Sequence, residues 1–269
     1  MANIISIQSS NNEKLKQWKK LRTKKGRLQT QSLLIEGEHL LLEATSAGLS
    51  FSAILLDQQK REGVLAFLQR FSIDVPIYEL ASELFKGIVE TETPQGVAAV
   101  VSMPQWSWEN LVVSNQAEAT YIVVDAVQDP GNLGTMLRTA EAAGMSGFVL
   151  GAGTVDPFNS KVVRAAMGSV FRLPILQLDL KVGLSRLKEH GVTIVGTSPH
   201  AGTPHFAYSF PQQSAIVLGN EGRGVDPSFQ PWIDDEVMIP MPGHTESLNV
   251  SITHAILVYE RVRQSYPHL

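Results

Sequence analysis

Apolar positions along the chain fall into short runs separated by polar stretches with helical spacing. Between Leu33 and about Met103 the runs LLIE, SAILL, VPIY and VAAVVS have strand length, and a helical stretch starts after Gly37. Such runs, bounded by turn residues and alternating with helices, predict a small α/β domain. The stretch MPQWSWENLVVSNQAEA follows without a clear period and reads as a linker. A second series opens with the strand YIVVD at Tyr121 and a helix from about Asn132 to Ala143. Next come the strand GFVL and helices at Ser160–Met167 and Lys181–His190. The strands TIVG, AIVLG and EVMIP follow, and a last helix runs from about Leu248 to Arg263. Strands alternating with helices predict a mostly parallel sheet covered on both faces, with its ligand loops beyond the carboxyl ends of the strands. The expected boundaries are 1–104, a linker at 105–118, and 119–269.

Composition changes this picture by exclusion. With 43% hydrophobic and 18% charged residues, 269 residues can bury a core. The absence of cysteine removes disulfides, thiolate nucleophiles and sulfur-ligated metals, and no metal is expected. No run approaches the roughly 18 apolar residues of a membrane span, and the first residues lack a signal-peptide core. The expectation is a soluble protein of the cytoplasm.

Charge is distributed unevenly. Residues 1–30 hold eight bases (Lys14, Lys16, Lys19, Lys20, Arg22, Lys24, Lys25, Arg27) against Glu13, whereas the whole chain carries −4. A basic arm on an acidic body fits a phosphate-binding footprint. Deleting residues 1–28 is then expected to weaken binding to such phosphates and flatten its salt dependence.

Three loops carry the candidate chemistry. The first, Asp125 to Gly144, turns at Asp129-Pro130-Gly131 and opens a helix that Asn132 could cap, with Arg138 six residues on. The second, Ile216 to Val225, runs a buried-type strand into Gly219, Gly222 and Gly224 around Asn220 and Glu221. Its spacing is neither that of a P-loop nor that of a dinucleotide fingerprint, and Gly151-Ala152-Gly153 also lacks a required third glycine. The third, Ile239 to Ile256, places a Pro/Gly stretch before Ser247-Leu248-Asn249 at a helix start, with Glu246 and His244 nearby.

In this order and spacing, the three loops resemble the signature motifs of the SpoU/TrmH family of RNA ribose methyltransferases, in the SPOUT superfamily. Motif one is matched by Asn132 through Arg138, and motif two by Gly219-Asn220-Glu221-Gly222 with Gly224. Motif three is matched by Ile239-Pro240-Met241 plus Ser247-Leu248-Asn249-Val250-Ser251. The likeness spans residues 120–263. Upstream, LLIEGEHLLLEA and PQGVAAVV resemble the family's small RNA-substrate-binding domain, and IISIQSSNNEKLKQWKKL is similar to its ribosomal-RNA branch.

The resemblance implies S-adenosylmethionine as methyl donor, a ribose 2′-hydroxyl of RNA as acceptor, a trefoil-knotted sheet and a homodimer. Large-subunit ribosomal RNA is the expected substrate. Transfer RNA, or a non-catalytic role in ribosome assembly, is the alternative. It further implies cofactor contacts at Thr197, Leu218, Gly219, Asn220, Gly222, Ile239, Met241, Ser247 and Leu248. The implied active-site set is Asn132, Arg138, Glu221, Ser247 and Asn249, and Arg164 joins the basic arm in contacting RNA. A guanidinium stays protonated, with a pKa above about 12. Arg138 is therefore expected to clamp a phosphate and stabilise the developing alkoxide, while Glu221, Ser247 and Asn249 orient the attacking group or take its proton through water.

Overall fold

The computed structural model describes residues 4–70, 75–112 and 117–265. The chain forms two compact units: Met1–Gln105 with Phe158–Arg172, and Trp106–Pro157 with Leu173–Leu269.

The first unit contains β1 (Ile4–Ile7), α1 (Glu13–Lys20), α2 (Lys24–Thr30), β2 (Ser32–Glu36), α3 (Glu38–Ser46), β3 (Phe51–Asp57), α4 (Arg61–Leu68), β4 (Ile77–Leu80), α5 (Ser82–Lys86) and β5 (Val97–Ser102). Its sheet runs β1-β4-β3-β5-β2, with β5 antiparallel to both neighbours and the other pairs parallel. The basic N-terminal stretch is not an arm laid on this body but part of it. Asn12 caps α1 by accepting the amide of Lys14, and Thr23 caps α2 through the amide of Gly26. Leu15, Trp18 and Leu21 are buried in a core with Leu55, Tyr78, Phe85 and Ile88, and the Trp18 and Tyr78 rings meet edge-on at 5.0 Å. Trp18 is thus a packing residue.

The second unit begins earlier than the sequence predicts. Within the expected linker, α6 (Trp108–Leu111) folds onto this unit because Trp108 and Leu111 are both buried there; residues 113–116 of that linker lie outside the described residues. Then come β6 (Ala119–Val124), α7 (Pro130–Ala142) and β7 (Gly147–Leu150). The next segment, Phe158–Arg172 with α8 (Ser160–Ala165), belongs to the first unit and corrects the single boundary expected at 119. Val162, Val163, Val170 and Phe171 are buried in it, and Arg172 pairs with Glu43 at 2.6 Å. A local hydrophobic pattern marks such a segment as packed without saying against what.

The second unit resumes with β8 (Ile175–Gln177), α9 (Leu180–Glu189), β9 (Thr193–Thr197), β10 (Thr203–Pro204), β11 (Gln213–Leu218), β12 (Asp235–Met238) and α10 (Val250–Ser265). Its sheet, β10-β12-β9-β11-β6-β7-β8, pairs every neighbour in parallel. β6 is buried along its whole length, as a central strand covered on both faces should be. From β6 the chain first builds outward through β7 and β8, then returns to add β11, β9 and β12 on the other side. That makes the β6–β11 border a switch point, where open α/β sheets bind ligands beyond the strand ends. Leu218 is in register with Val124, so the loops starting at Gly219 and Asp125 leave the sheet side by side.

Candidate functional site

The first loop differs from the sequence reading at its cap. Helix α7 starts at Pro130, and Asp129 caps it by accepting the amide of Asn132 at 2.8 Å. Proline suits a first helical position, since the N–H it lacks would have no helical partner. Leu133, Met136, Leu137 and Ala140 form the buried face. Relieved of capping, the Asn132 side chain donates to Glu221 Oε1 (3.2 Å) and accepts from Asn249 Nδ2 (2.9 Å). One residue from each motif therefore joins a single network. Arg138 does not. Six residues along a helix is roughly 9 Å of rise and about 120° of rotation away. Arg138 is exposed and makes no hydrogen bond or ion pair among the described residues.

The second loop is fastened chiefly through Asn220 and Glu221. A Cβ on Gly219 would stand 1.9 Å from the Gly224 carbonyl carbon and 2.1 Å from the Val225 nitrogen, so only glycine lets the returning chain pass this closely. Asn220 and Gly224 exchange two backbone hydrogen bonds of 2.9 Å. Asn220 Oδ1 accepts the amides of Gly222 and Arg223, and its Nδ2 donates to the carbonyl of Ala126 at 2.7 Å. The loop's exit is held by the buried Asp125, whose Oδ2 accepts the Asp226 amide at 2.9 Å. Burial raises the Asp125 pKa; the hydrogen bond from the Asp226 amide opposes this, and the Asp226 charge adds to it. Glu221 accepts the amides of Asp129 (3.2 Å) and Gln128 (3.4 Å) besides Asn132. Burial works to raise its pKa, but these hydrogen bonds together outweigh it and hold the carboxyl below its ordinary value. A carboxylate so held fastens the first loop to the second.

The third loop is open by comparison. Asn249 caps α10 by accepting the Ser251 amide at 2.9 Å, whereas Pro242 through Asn249 are exposed, His244 and Ser247 among them. With the second loop and the end of β9 it walls a cleft of about 490 Å³, a size typical of small-molecule sites. Thr197, Leu218, Gly219, Asn220, Gly222, Ile239, Met241, Ser247 and Leu248 all line this cleft, as does Glu221. Asn132 and Asn249 adjoin it through Glu221. Glu246, noted beside the third loop's polar cluster, also lines it; sequence reasoning missed Ser198, His200, Arg223 and Glu236, and the supports Asp125 and Asp129. Pro130 was a readable signal for the Asp129 cap; nothing local marks the others.

The basic residues sit in the first unit. Lys19, Lys20, Lys24 and Lys25 are exposed there, and Lys14 lies 5.2 Å over the Tyr78 ring. Arg22 faces Glu90 at 3.4 Å, and Arg164 is half-buried with its charge felt by Glu90. Arg27 departs from its expected RNA-contacting place. It is buried and donates to the Leu21 carbonyl at 2.8 Å, which ties α2 to the end of α1. Removing residues 1–28 would extract Leu15, Trp18 and Leu21 from the core, so single substitutions of the exposed lysines replace that deletion as the test of RNA binding.

Residues 119–259 match the family model described as the SpoU rRNA methylase family, and residues 12–99 match an MRM3-like substrate binding domain. The chain is 42% identical to the 23S rRNA (guanosine(2553)-2′-O)-methyltransferase RlmP of Bacillus subtilis, over 94% of this chain and 97% of that protein. Among solved structures it is similar to the SpoU methyltransferase AviRb from Streptomyces viridochromogenes in complex with AdoMet (27% identity, TM-score 0.85, 95% of this chain and 98% of that one). It is also similar to the AdoMet-bound rRNA methyltransferase from Sinorhizobium meliloti (29% identity, TM-score 0.84, 97% and 98%). With its catalytic-type sheet, its three interlocked loops and the accompanying substrate domain all matched, the chain belongs to the SpoU rRNA methylase family.

Proposed function

We propose that this chain methylates a ribose 2′-hydroxyl of large-subunit ribosomal RNA, in the cytoplasm, with S-adenosylmethionine as donor. One observation carries the reading: nine residues from four separate stretches of sequence line one cleft, and the network Asn132–Glu221–Asn249 adjoins it. The cleft fits the cofactor on its own chemistry. Main-chain groups beside Gly219 can bond adenine and ribose, and Leu218, Ile239, Met241 and Leu248 offer apolar contact. When bound, S-adenosylmethionine supplies a methyl group made electrophilic by its sulfonium.

The chain's own groups supply positioning, which contributes up to about 7–11 kcal/mol in such a step. Glu221 and Asn132 fix the first loop against the second. Ser247, exposed and without a partner among the described residues, is free to orient the attacking hydroxyl. Arg138 clamps the neighbouring phosphate and stabilises the oxygen's developing charge. The likeness to SpoU family proteins supports a knotted sheet of the trefoil kind. Ile252 and Tyr259, both exposed on α10, support a homodimer through the second unit.

The test is transfer of tritiated methyl from S-adenosylmethionine to RNA lacking the modification, followed by digestion to nucleosides. Label in a 2′-O-methylated nucleoside of large-subunit RNA is expected. Label in transfer RNA changes the substrate, and cofactor binding without label in any RNA points to an assembly role. Arg138→Lys should lower turnover about 10²-fold without changing cofactor affinity; native turnover would refute the bidentate clamp.

A further inference from the structure

The second unit holds five arginines, and three are occupied. Arg186 lies 4.8 Å over the Trp108 ring, Arg261 pairs with Glu118 at 3.2 Å, and Arg263 pairs with Glu260 at 2.7 Å. The guanidinium groups of Arg138 and Arg223 make no hydrogen bond or ion pair among the described residues. Arg138 stands on α7 and Arg223 on the glycine loop, both within the matched motifs. Arg223 also lines the cleft, at the tip of the glycine loop.

Three features separate it from an ordinary solvated arginine. Its base is fixed, because Asn220 Oδ1 accepts its backbone amide and that of Gly222 at 3.3 and 3.0 Å. Its flanks are bare, since Gly222 and Gly224 carry no side chain and the guanidinium alone projects from the tip. Its charge is not spent: Asp125 and Asp226 feel it, yet Asp125 is engaged by the Asp226 amide and Asp226 by the Ser228 amide. The tip, Glu221 to Gly224, is exposed, whereas Leu218 and Gly219 at the loop's base are buried. The cation therefore faces whatever arrives at the mouth of the cleft rather than what lies at its floor.

We propose that Arg223 grips a phosphate of the RNA strand at the mouth of the cleft, as a cation independent of Arg138. This rests on the reading of the protein as an RNA methyltransferase. A planar guanidinium suits the task, because its paired N–H groups match two phosphate oxygens. Arg223 acts in substrate capture, and its removal should appear in the RNA KM before kcat.

The experiment uses the full chain, an RNA fragment that it methylates, and the variants Arg223→Gln and Arg223→Lys. RNA affinity is measured across a salt series, cofactor affinity by calorimetry, and Tm by calorimetric melting. Arg223→Gln should weaken RNA binding roughly tenfold at low salt and reduce the salt slope by about 0.7–0.9, one phosphate's worth. Cofactor affinity and Tm should not change, and Arg223→Lys should restore the slope but not the full affinity. An unchanged RNA affinity and slope overturns the proposal. So does weaker cofactor binding with normal RNA binding, which would assign Arg223 to the cofactor's carboxylate. A lowered Tm with RNA binding intact would make it a neutraliser of Asp125 and overturn the proposal equally. If the wild-type chain neither binds nor methylates RNA, the methyltransferase reading itself fails, and the variants are not needed to see it.

Discussion

Two loops wall the same cleft and are built in opposite ways. Between Gly219 and Asp226 the chain is fastened by side chains from its own loop and from the strand beside it, through Asn220, Glu221 and Asp125. Between Ile239 and Leu248 no residue makes a hydrogen bond among the described residues, and the chain is tied down again only at Asn249. The first is preorganised: its shape is established before any ligand arrives. The second can adjust, so ordering it is a cost that binding must offset. A cleft with one rigid and one adaptable wall should take its selectivity from the former and its closure from the latter.

Substituting glycine by alanine on each side tests this contrast most severely. In Gly219→Ala the new methyl meets backbone at 1.9–2.3 Å, which no side-chain movement relieves. We expect a loss of about 3 kcal/mol or more in stability and no measurable cofactor binding. Gly243→Ala finds nothing within 4 Å and should melt within about 0.5 kcal/mol of wild type. Equal effects at the two positions would erase the distinction.

Asn220→Ala comes next. It strands the amides of Gly222 and Arg223 and the carbonyl of Ala126, so cofactor affinity should fall by about 2–3 kcal/mol while the helices keep their circular-dichroism signal. A smaller effect is expected from Glu221→Gln, about tenfold in turnover. The pKa of Glu221 is held down in the folded protein, so its stabilising contribution is complete above the ordinary glutamate value of about 4.3 and fades as the pH falls through the lower folded value. The difference in Tm between Glu221→Gln and wild type should therefore shrink on acidification. A constant difference would mean that the charge plays no part in joining the loops.

Away from the cleft, His254 is fully buried on α10, with neither ring nitrogen hydrogen-bonded among the described residues, and burial pushes its pKa down to about 3. The unfolded chain binds a proton there below about pH 6.5, so the folded state should lose about 1.4 kcal/mol per pH unit below that point. His254→Leu should flatten this slope and raise Tm at neutral pH.

Where one element's own pattern decided the structure, the sequence was readable. The strands around YIVVD and AIVLG are continuous apolar runs because both sheet faces are covered, and glycine spacing marked the loop that follows the second. The rest depended on contacts between distant residues. Asn132 reads as the cap from its residue type alone, yet Pro130 at the first helical position makes Asp129 the cap. Arg27 is buried while the adjacent Leu28 is half-exposed, an inversion of hydropathy that a helix of seven residues is too short to reveal. Nothing near Arg223 announced that Asn220 would hold its backbone. Arg138 was found by its motif, yet the network formed by Asn132, Glu221 and Asn249 forms without it.

The chain passes from one unit to the other three times, near residues 105, 157 and 172. A protease cutting the stretch before β6 would sever one crossing and release neither half. A gene fragment beginning at Trp106 would still encode Phe158–Arg172 and would expose Val162, Val163, Val170 and Phe171 as a sticky strip. The substrate domain is thus no detachable module that recombination could swap on its own. The two units share one interleaved stretch of chain and are inherited together.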